Sequence, residues 1–323
     1  MKPRLGSGTA REATGAARAN RIQSVLVDIR RQCQGRPILA WRRVFGLAWL
    51  AYGRTLLGLD VSMRRRVPAS ELALDIVIPV GERDLGVLPS TIEGLRRYLK
   101  HPIGRIYVVG RPTRSVEGLC DHMAVSFVDE ADATRVRREQ LQYKVGGVDR
   151  SGWLLQQFVK LSGDEIARSE AFLVADADTV LLRPQVFEHR GKLIFNHSVE
   201  YHHPYFAAYR KLLGAEPPSA LSYVSHGMVF KKGTLKHLKK TLELRHGKPW
   251  ERAILDTLDF DTRSNFSEYE LYGNFYMSLK LPISHAYWHN VSLPREDLEH
   301  LTEVRSRWED RRKSASFHDY GPE

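Results

Sequence analysis

The sequence predicts a Rossmann-like α/β protein, a mostly parallel sheet flanked by helices, preceded by a basic N-terminal extension. Three observations carry that prediction. From residue 71 onward, short apolar runs rich in β-branched residues alternate with segments of helical spacing, the pattern of strand–helix–strand units. The net positive charge is confined to the first seventy residues. One apolar run, "FLVADADTVLLRP" (172–184), ends in two carboxylates, Asp176 and Asp178, and in open α/β sheets ligands bind beyond the carboxyl ends of strands.

The extension comes first. The chain has 323 residues and a net charge of +11. Residues 1–70 hold 14 Lys+Arg and 3 Asp+Glu, or 14 − 3 = +11, while residues 71–323 hold 35 of each. A basic arm suits nucleic acid, anionic lipid or an acidic polymer. The neutral remainder argues against a nucleic-acid groove across the main domain. Residues 1–20 are rich in Gly, Ala, Ser, Thr and Arg and read as disordered; residues 21–33 suit a short helix.

In "ILAWRRVFGLAWLAYGRTLLGL" (38–59), Trp41, Phe45, Trp49, Tyr52 and Leu56 fall on one helical stripe, with Arg42, Arg43, Arg54 and then Arg64–Arg66 around it. Such a helix suits an anionic membrane interface, or packing on the main domain or a second subunit. No apolar run approaches the roughly 18 residues of a membrane span. The start lacks the apolar region of a signal peptide; its Arg-rich, acid-poor composition only weakly mimics a transit peptide. The two cysteines, Cys33 and Cys120, lie far apart and in no metal-binding spacing, which points to a reducing compartment. The expectation is a cytoplasmic protein with an extension over 1–70, an organised domain over 71–323, and peripheral attachment to the inner face of the membrane through 38–66.

The organised domain opens with "LALDIVIPV" (72–80), a buried strand closed by Pro79 and Gly81. "LPSTIEGLRRYLK" (88–100) follows as a helix, with Ser90 and Glu93 in capping-box spacing. "GRIYVVG" (104–110) and "AVSFVDE" (124–130) are the next strands, joined by a short helix or turn at "GLCDHM". A charged helix over 131–143, the Gly-rich loop "VGGVDRSG" and a helix over 153–168 lead to the fourth strand and its two aspartates.

Two carboxylates a few ångströms apart repel by about 3–4 kcal/mol at an effective dielectric of 20. They need a shared proton, a nearby cationic side chain or a divalent cation. Mg²⁺ or Mn²⁺, with oxygen ligands, also provides a seat for a phosphate. The plainer alternative is that one aspartate caps the following turn and the other faces solvent.

The motifs "IVIPV", "GWLLQQFVKL" and "FLVADADTVLLRP" together resemble nucleotide-diphospho-sugar glycosyltransferases of the GT-A type. With "SYVSHGMVF", "FSEYELYG" and a final "SASFHDY", the chain resembles more closely a bacterial glycosyltransferase-like family of unassigned function, over residues 72–320. The resemblance implies a GT-A-like fold and a nucleotide-sugar-dependent, hexosyltransferase-like enzyme. It also implies Mn²⁺ or Mg²⁺ on the donor diphosphate. The basic aromatic segment 38–66 is the observation behind the expected acceptor, a surface polysaccharide or other glycan, or a lipid-linked one. Asp176 would reach the nucleotide ribose or metal-bound water, Asp178 would ligate the metal, and His318 in "SASFHDY" would complete its shell. His246 in "HGKPW" is a rival, at a shorter spacing than related metal-binding sequences use.

Other residues fill out the expected site. Trp153, Gln156, Gln157 and Lys160 span two helical turns, Gln156 and Lys160 sharing a face; with Pro79 they are candidates for donor binding. A solvated polar face is the alternative. Ser267 and Glu270 match S-x-x-E, so a capping box accounts for Glu270 and leaves Glu268 as the candidate catalytic carboxylate, which must come within hydrogen-bonding reach of a hydroxyl proton. His202, Tyr205, His226 and Glu270 are candidates for acceptor binding; Tyr201 and His203 belong to the same polar, aromatic stretch.

Two rival readings stand beside this one. "LVADADTVLL" also resembles the D-x-D-x-T motif of haloacid-dehalogenase-like phosphohydrolases, in which Asp176 would be the nucleophile and Asp178 the general acid. There the motif opens the domain, whereas here three strands precede it, and "LDFDT" (258–262) is the best imitation of the downstream acidic pair. The other rival is an inactive sugar-nucleotide-binding module tethered by its basic arm.

Overall fold

The structure, a computed structural model, describes residues 41, 44, 48, 60–198 and 201–317. Strand β1 (Leu74–Pro79) is buried at every position, as expected of a strand covered on both faces. Its one charged residue, Asp75, accepts backbone N–H groups from Arg105, Arg168 and Ser169 at 2.6–2.9 Å. These bonds outweigh the effect of burial and hold its carboxyl below the ordinary range. Helix α1 (Leu88–Tyr98) starts three residues earlier than a cap at Ser90 predicts. Val87 is the N-cap, without a side-chain cap bond, and Pro89 sits in the first turn, where its missing N–H is no loss.

Strand β2 (Ile103–Gly110), helix α2 (Arg114–His122) and strand β3 (Ser126–Asp129) follow the expected alternation. The charged stretch 131–143 does not continue as a helix. Helix α3 (Glu130–Ala133) is a single turn, Thr134 is extended, and the Arg137 side chain takes the carbonyls of Ala131 and Thr134. Buried Val136 and Leu141 tie the rest of this stretch to the core, a spacing no continuous helix would put on one face. The Gly-rich loop is a hairpin of β4 (Lys144–Val145) and β5 (Val148–Asp149). It turns on Gly146 and Gly147 at φ 59° and 80°, the positive values a two-residue I′ turn requires.

The helix expected over 153–168 is two: α4 (Ser151–Leu161) and α5 (Gly163–Ile166). The break falls at Ser162, which ends α4 and precedes α5 with φ −90° and ψ 3°; at the adjacent Gly163 any Cβ would run into the Phe172 ring. Strand β6 (Ala171–Ala175) is fully buried and ends at Asp176; β7 (Thr179–Leu181) follows Asp178 directly. Then come β8 (Glu188–His189), β9 (Lys192–His197), α6 (His203–Leu213), β10 (Gly227–Lys231), α7 (Lys232–His246), α8 (Trp250–Leu255) and α9 (Glu268–Ser278). The chain continues through β11 (Ile283–Tyr287), β12 (Asn290–Leu293), α10 (Leu301–Trp308) and β13 (Ser314–Phe317).

The central sheet has the order β10-β6-β1-β2-β3. All its pairs are parallel except β10 with β6, so the fold is the mixed α/β, mostly parallel architecture the sequence predicts. Two smaller sheets, β12-β13-β7 and β11-β9-β8, flank it. Because β7 pairs antiparallel with β13, Asp178 lies at one end of the small sheet, where its carbonyl accepts the N–H of Phe317 at 2.9 Å.

The packed body begins before residue 71. Val61, Ser62 and Met63 are buried in a 3₁₀ turn capped by Asp60, and Val61 packs with Val186, Ile194 and Ala286. Asp60 also meets the ammonium of Lys313 at 2.8 Å, and Lys313 is only 1 % exposed. The aromatic stripe over 38–59 lies outside the described residues except for Trp41. Among the described residues no helix is long and apolar enough to cross a membrane.

Candidate active site

A cavity of about 600 Å³ lies at the carboxyl ends of β1 and β6. It is lined by Pro79 from β1, by Trp153, Gln156, Gln157 and Lys160 from α4, and by Asp176 and Asp178 after β6. Tyr205 from α6, His226 before β10 and Glu268 from the first turn of α9 complete the group. Ten of the candidates named from the sequence therefore meet around one space, although they span nearly two hundred residues of chain.

Asp176 is the hub. Its Oδ1 accepts from the Lys160 ammonium at 2.7 Å and from the Tyr269 hydroxyl at 3.2 Å; its Oδ2 is 3.2 Å from His226 Nδ1. Lys160 also stands 2.8 Å from Glu268 Oε1 and 4.5 Å from the centre of the Tyr269 ring. Lys160 and Glu268 are 6 % and 1 % exposed, so an ammonium is held between two carboxylates almost out of water. Burial works to discharge Lys160, but the charges of Asp176 and Glu268 outweigh it and hold the ammonium well above the ordinary lysine range. Burial likewise opposes ionisation of Asp176, yet Lys160 and His226 hold its carboxyl below the usual range. For Glu268 burial wins over Lys160, and its carboxyl is raised. Burial and the Asp176 charge push the Tyr269 phenol well up. Two carboxylates thus share one cation but titrate in opposite directions.

His226 is pinned twice to Asp176, through its ring and through its carbonyl, which accepts the Asp176 N–H at 3.1 Å. Its φ of 57° is left-handed, an uncommon conformation for a side chain of this size and one that strained functional sites retain.

The arrangement changes several expectations. Lys160 faces the cavity, but its charge is committed to Asp176 and Glu268 rather than offered to a phosphate. Gln157 is buried and donates to the Trp153 carbonyl at 3.1 Å. Asp176 Oδ1 accepts two bonds and Oδ2 one, so a lone pair of Oδ2 is left for a further ligand, the metal expected of it included. Glu270 is not on the cavity wall. It is 1 % exposed, with Oε1 accepting the Tyr223 N–H at 2.9 Å and Oε2 the Asn274 amide at 3.3 Å. Ser267 caps α9 by accepting the Glu270 N–H at 3.3 Å, as the S-x-x-E spacing predicts. The acceptor role expected of Glu270 is therefore opposed by its place off the cavity wall and by its structural bonds. His202 also lies off the wall, with Nε2 3.0 Å from the Arg263 carbonyl and its ring edge-on to Tyr205. His246 bonds the Leu212 carbonyl at 2.8 Å. His318 lies outside the described residues.

Arg83, Asp84, Tyr269 and the stretch Ser292–Pro294 also line the cavity and are missed by sequence reasoning. The first two had a usable signal: they follow β1 in "IPVGERD", just beyond a parallel strand's carboxyl end. Asp84 meets Arg295 at 2.7 Å. Burial and the charge of Asp178 raise its carboxyl, with Arg83 and Arg295 opposing. Asp178 and Asp84 thus bring two carboxyl groups to one side of the cavity, with Arg83 and Arg295 against Asp84, and a hard divalent cation suits such oxygen donors. Among the described residues no group of three or more His, Cys, Asp or Glu is gathered at metal-binding spacing; the fit is that of part of a site.

Comparison with known proteins gives a family and two fold neighbours. Residues 73–320 match the model described as "Family of unknown function (DUF6492)". Among solved structures, mouse xyloside xylosyltransferase 1 in its apo form has a TM-score of 0.43 and 13% identity, over 79% of this chain and 100% of that one. The galactosyltransferase LgtC, in complex with donor and acceptor sugar analogs, has a TM-score of 0.43 and 11% identity, over 77% and 88%. No curated protein matches the sequence.

Proposed function

Because the chain belongs to DUF6492, a family of unknown function, we propose a function from the cavity itself: metal-dependent transfer of a sugar from a nucleoside-diphosphate sugar to a glycan or lipid-linked acceptor. The observation that carries this reading is the gathering of Asp176, Asp178, Lys160 and Glu268 around one cavity at the carboxyl ends of β1 and β6, where α/β sheets bind their ligands.

In this reading Asp178 holds the cation, Mn²⁺ or Mg²⁺, with Asp84 facing it and His318 as the further ligand named from the sequence. When bound, the cation supplies Lewis-acid stabilisation to the departing diphosphate. Asp176, ionised by Lys160, orients the nucleotide ribose. Trp153 and Pro79 offer apolar surface and Gln156 an amide to the donor. Tyr205 and His226 face the acceptor. Glu268 is the carboxylate that takes the acceptor hydroxyl's proton as the new bond to the anomeric carbon forms and the bond to diphosphate oxygen breaks. The acceptor class, the expected role in surface polysaccharide synthesis and a peripheral position on the inner membrane belong to the same proposal. The phosphohydrolase alternative finds no comparable support: Asp259 of "LDFDT", the downstream acid it needs, lines a separate cavity with His203 and Lys211.

The test is thermal shift with UDP, GDP, CDP and ADP, first with Mn²⁺ and then with chelator, on the wild type and Asp178→Ala. One nucleotide stabilising the wild type only with metal, and the variant not at all, is the expected result. Absence of metal-dependent binding to every nucleotide would sink the reading.

A further inference from the structure

A strongly basic face lies on the side of the small sheet away from the cavity, assembled from four separated segments. Arg183, just after β7, donates to the carbonyls of Arg64, Glu309 and Asp310 at 3.0–3.4 Å. That fastens the "RRR" of residues 64–66 to the end of α10. Gln185 joins the same region to the end of α1, through the Tyr98 carbonyl and the Lys100 N–H, both at 2.8 Å. Two half-buried aromatic rings lie among the arginines. Tyr98 has Arg97 and Arg305 over it at 5.2 and 5.6 Å; Trp308 has Arg307 and Arg312 at 5.2 and 5.6 Å.

Arg64, Arg65, Arg66, Arg97, Arg307 and Arg311 are exposed. Exposed Glu303, Glu309 and Asp310 offset only part of their charge. The side chains at 64–66, 97, 183 and 305–312 are too far apart in sequence for any local pattern to reveal the face.

We infer that this face, made by Arg64–Arg66 together with the arginines of α1 and α10, is a docking surface for an anionic lipid bilayer. Arginine guanidinium groups pair with phosphate oxygens bidentately and stack on rings, in lipid headgroups and nucleic acids alike. Two features favour lipid over another polyanion. Aromatic rings at the level of the charges suit the headgroup region, where amphipathic side chains settle. The chain enters the packed body here, at Asp60 beside Lys313, and the basic, aromatic-rich sequence of residues 38–59 directly precedes that point in the chain. Strands β7 and β13, antiparallel to each other, connect it with the cavity. The five residue steps from Asp178 to Arg183 extend at most about 17 Å, a reach that suits an acceptor carried on a membrane lipid. The choice of lipid deepens the proposed peripheral placement. The face itself stands on its charge and contacts, independent of the donor site.

The experiment is co-sedimentation of the full chain with phosphatidylcholine vesicles, with and without 30 mol% phosphatidylglycerol (roughly the anionic content that makes polybasic binding measurable). The comparison is between Arg65→Glu/Arg307→Glu/Arg311→Glu and a control with the same charge change elsewhere, Arg114→Glu/Arg135→Glu/Lys236→Glu. The expected result is binding only to anionic vesicles, reduced about tenfold or more in the first triple variant and less than about threefold in the control, in line with surface attraction per arginine. Equal loss in both variants, or no loss in the first, would overturn the face. Binding to duplex DNA with no binding to anionic vesicles would overturn the lipid assignment. Nucleotide thermal shift on the same proteins reports separately on the donor site: a variant that loses vesicle binding while keeping its nucleotide shift separates the two.

Discussion

Lys160 places its ammonium 2.8 Å from Glu268, and these side chains are 7 % and 1 % exposed. The same ammonium lies 2.7 Å from Asp176. One cation therefore stands between two acids that come from different parts of the chain. Removing one member of a buried ion pair leaves an uncompensated charge and costs about 3–5 kcal/mol. Lys160→Met is expected to lose about that much stability in urea denaturation at pH 7. The double variant Lys160→Met/Glu268→Met should recover part of it, because the second change removes one of the stranded acids. A double variant no more stable than the single would mean that Glu268 does not depend on Lys160.

Glu268 and Glu270 are expected to separate cleanly. Glu268→Gln keeps the shape of the cavity wall but removes the carboxylate, so any transferase activity should fall by about a hundredfold or more, the low end of a general base's contribution, with nucleotide binding retained. Glu270→Ala instead strands the buried Tyr223 N–H, at about 1–3 kcal/mol, and should leave the nucleotide shift intact once the protein is folded. Chemical denaturation and nucleotide binding on both variants decide this. Equal stability loss with equal binding would remove the distinction.

His197 gives the fold a pH dependence. Burial, with His285 second, lowers its imidazole to about 3 against a backbone bond to Ser222 that raises it. The ring stacks on Tyr223 and lies 2.9 Å from His285 Nδ1. The unfolded chain binds the proton more readily, so this contribution is complete above the unfolded value near 6.5 and is lost as pH falls toward 3. One proton limits the slope to about 1.4 kcal/mol per pH unit. Between pH 6 and 4.5 the stability should drop by about 2 kcal/mol, and His197→Gln should flatten that part of the urea-midpoint profile. An unchanged slope in the variant would assign the acid sensitivity elsewhere.

Trimming the N-terminus tests the buried turn at 61–63. A chain beginning at residue 60 keeps Val61 and Met63 in place and Asp60 on Lys313. One beginning at residue 71 strips the buried Lys313 ammonium of its counter-ion and uncovers Val186 and Ile194. The shorter chain is expected to lose about 3 kcal/mol or more, read as a lower melting temperature. Identical melting of the two would show that the Asp60–Lys313 pair contributes nothing measurable.

The sequence alone determined the alternation of strands and helices, the mostly parallel sheet, and the strand end that carries Asp176 and Asp178. Each rests on local information: apolar periodicity, β-branched runs, and the polarity of a strand whose carboxyl end is read directly from chain direction. The charged stretch 131–143 was misread because Arg137 bonds carbonyls across a broken turn, a competition that composition does not register. Only the tertiary structure decided what balances Asp176. The answer is a lysine sixteen residues earlier, shared with a glutamate ninety-two residues later; burial raises both acids, and Lys160 with His226 outweighs it only at Asp176. It also decided between Glu268 and Glu270. Two positions apart on a helix differ by about 200°, so one reaches the cavity and the other Tyr223, and which is which depends on what packs against α9. The basic face is of the same kind, since electrostatics follows distances in space and four distant segments meet only after the chain has folded.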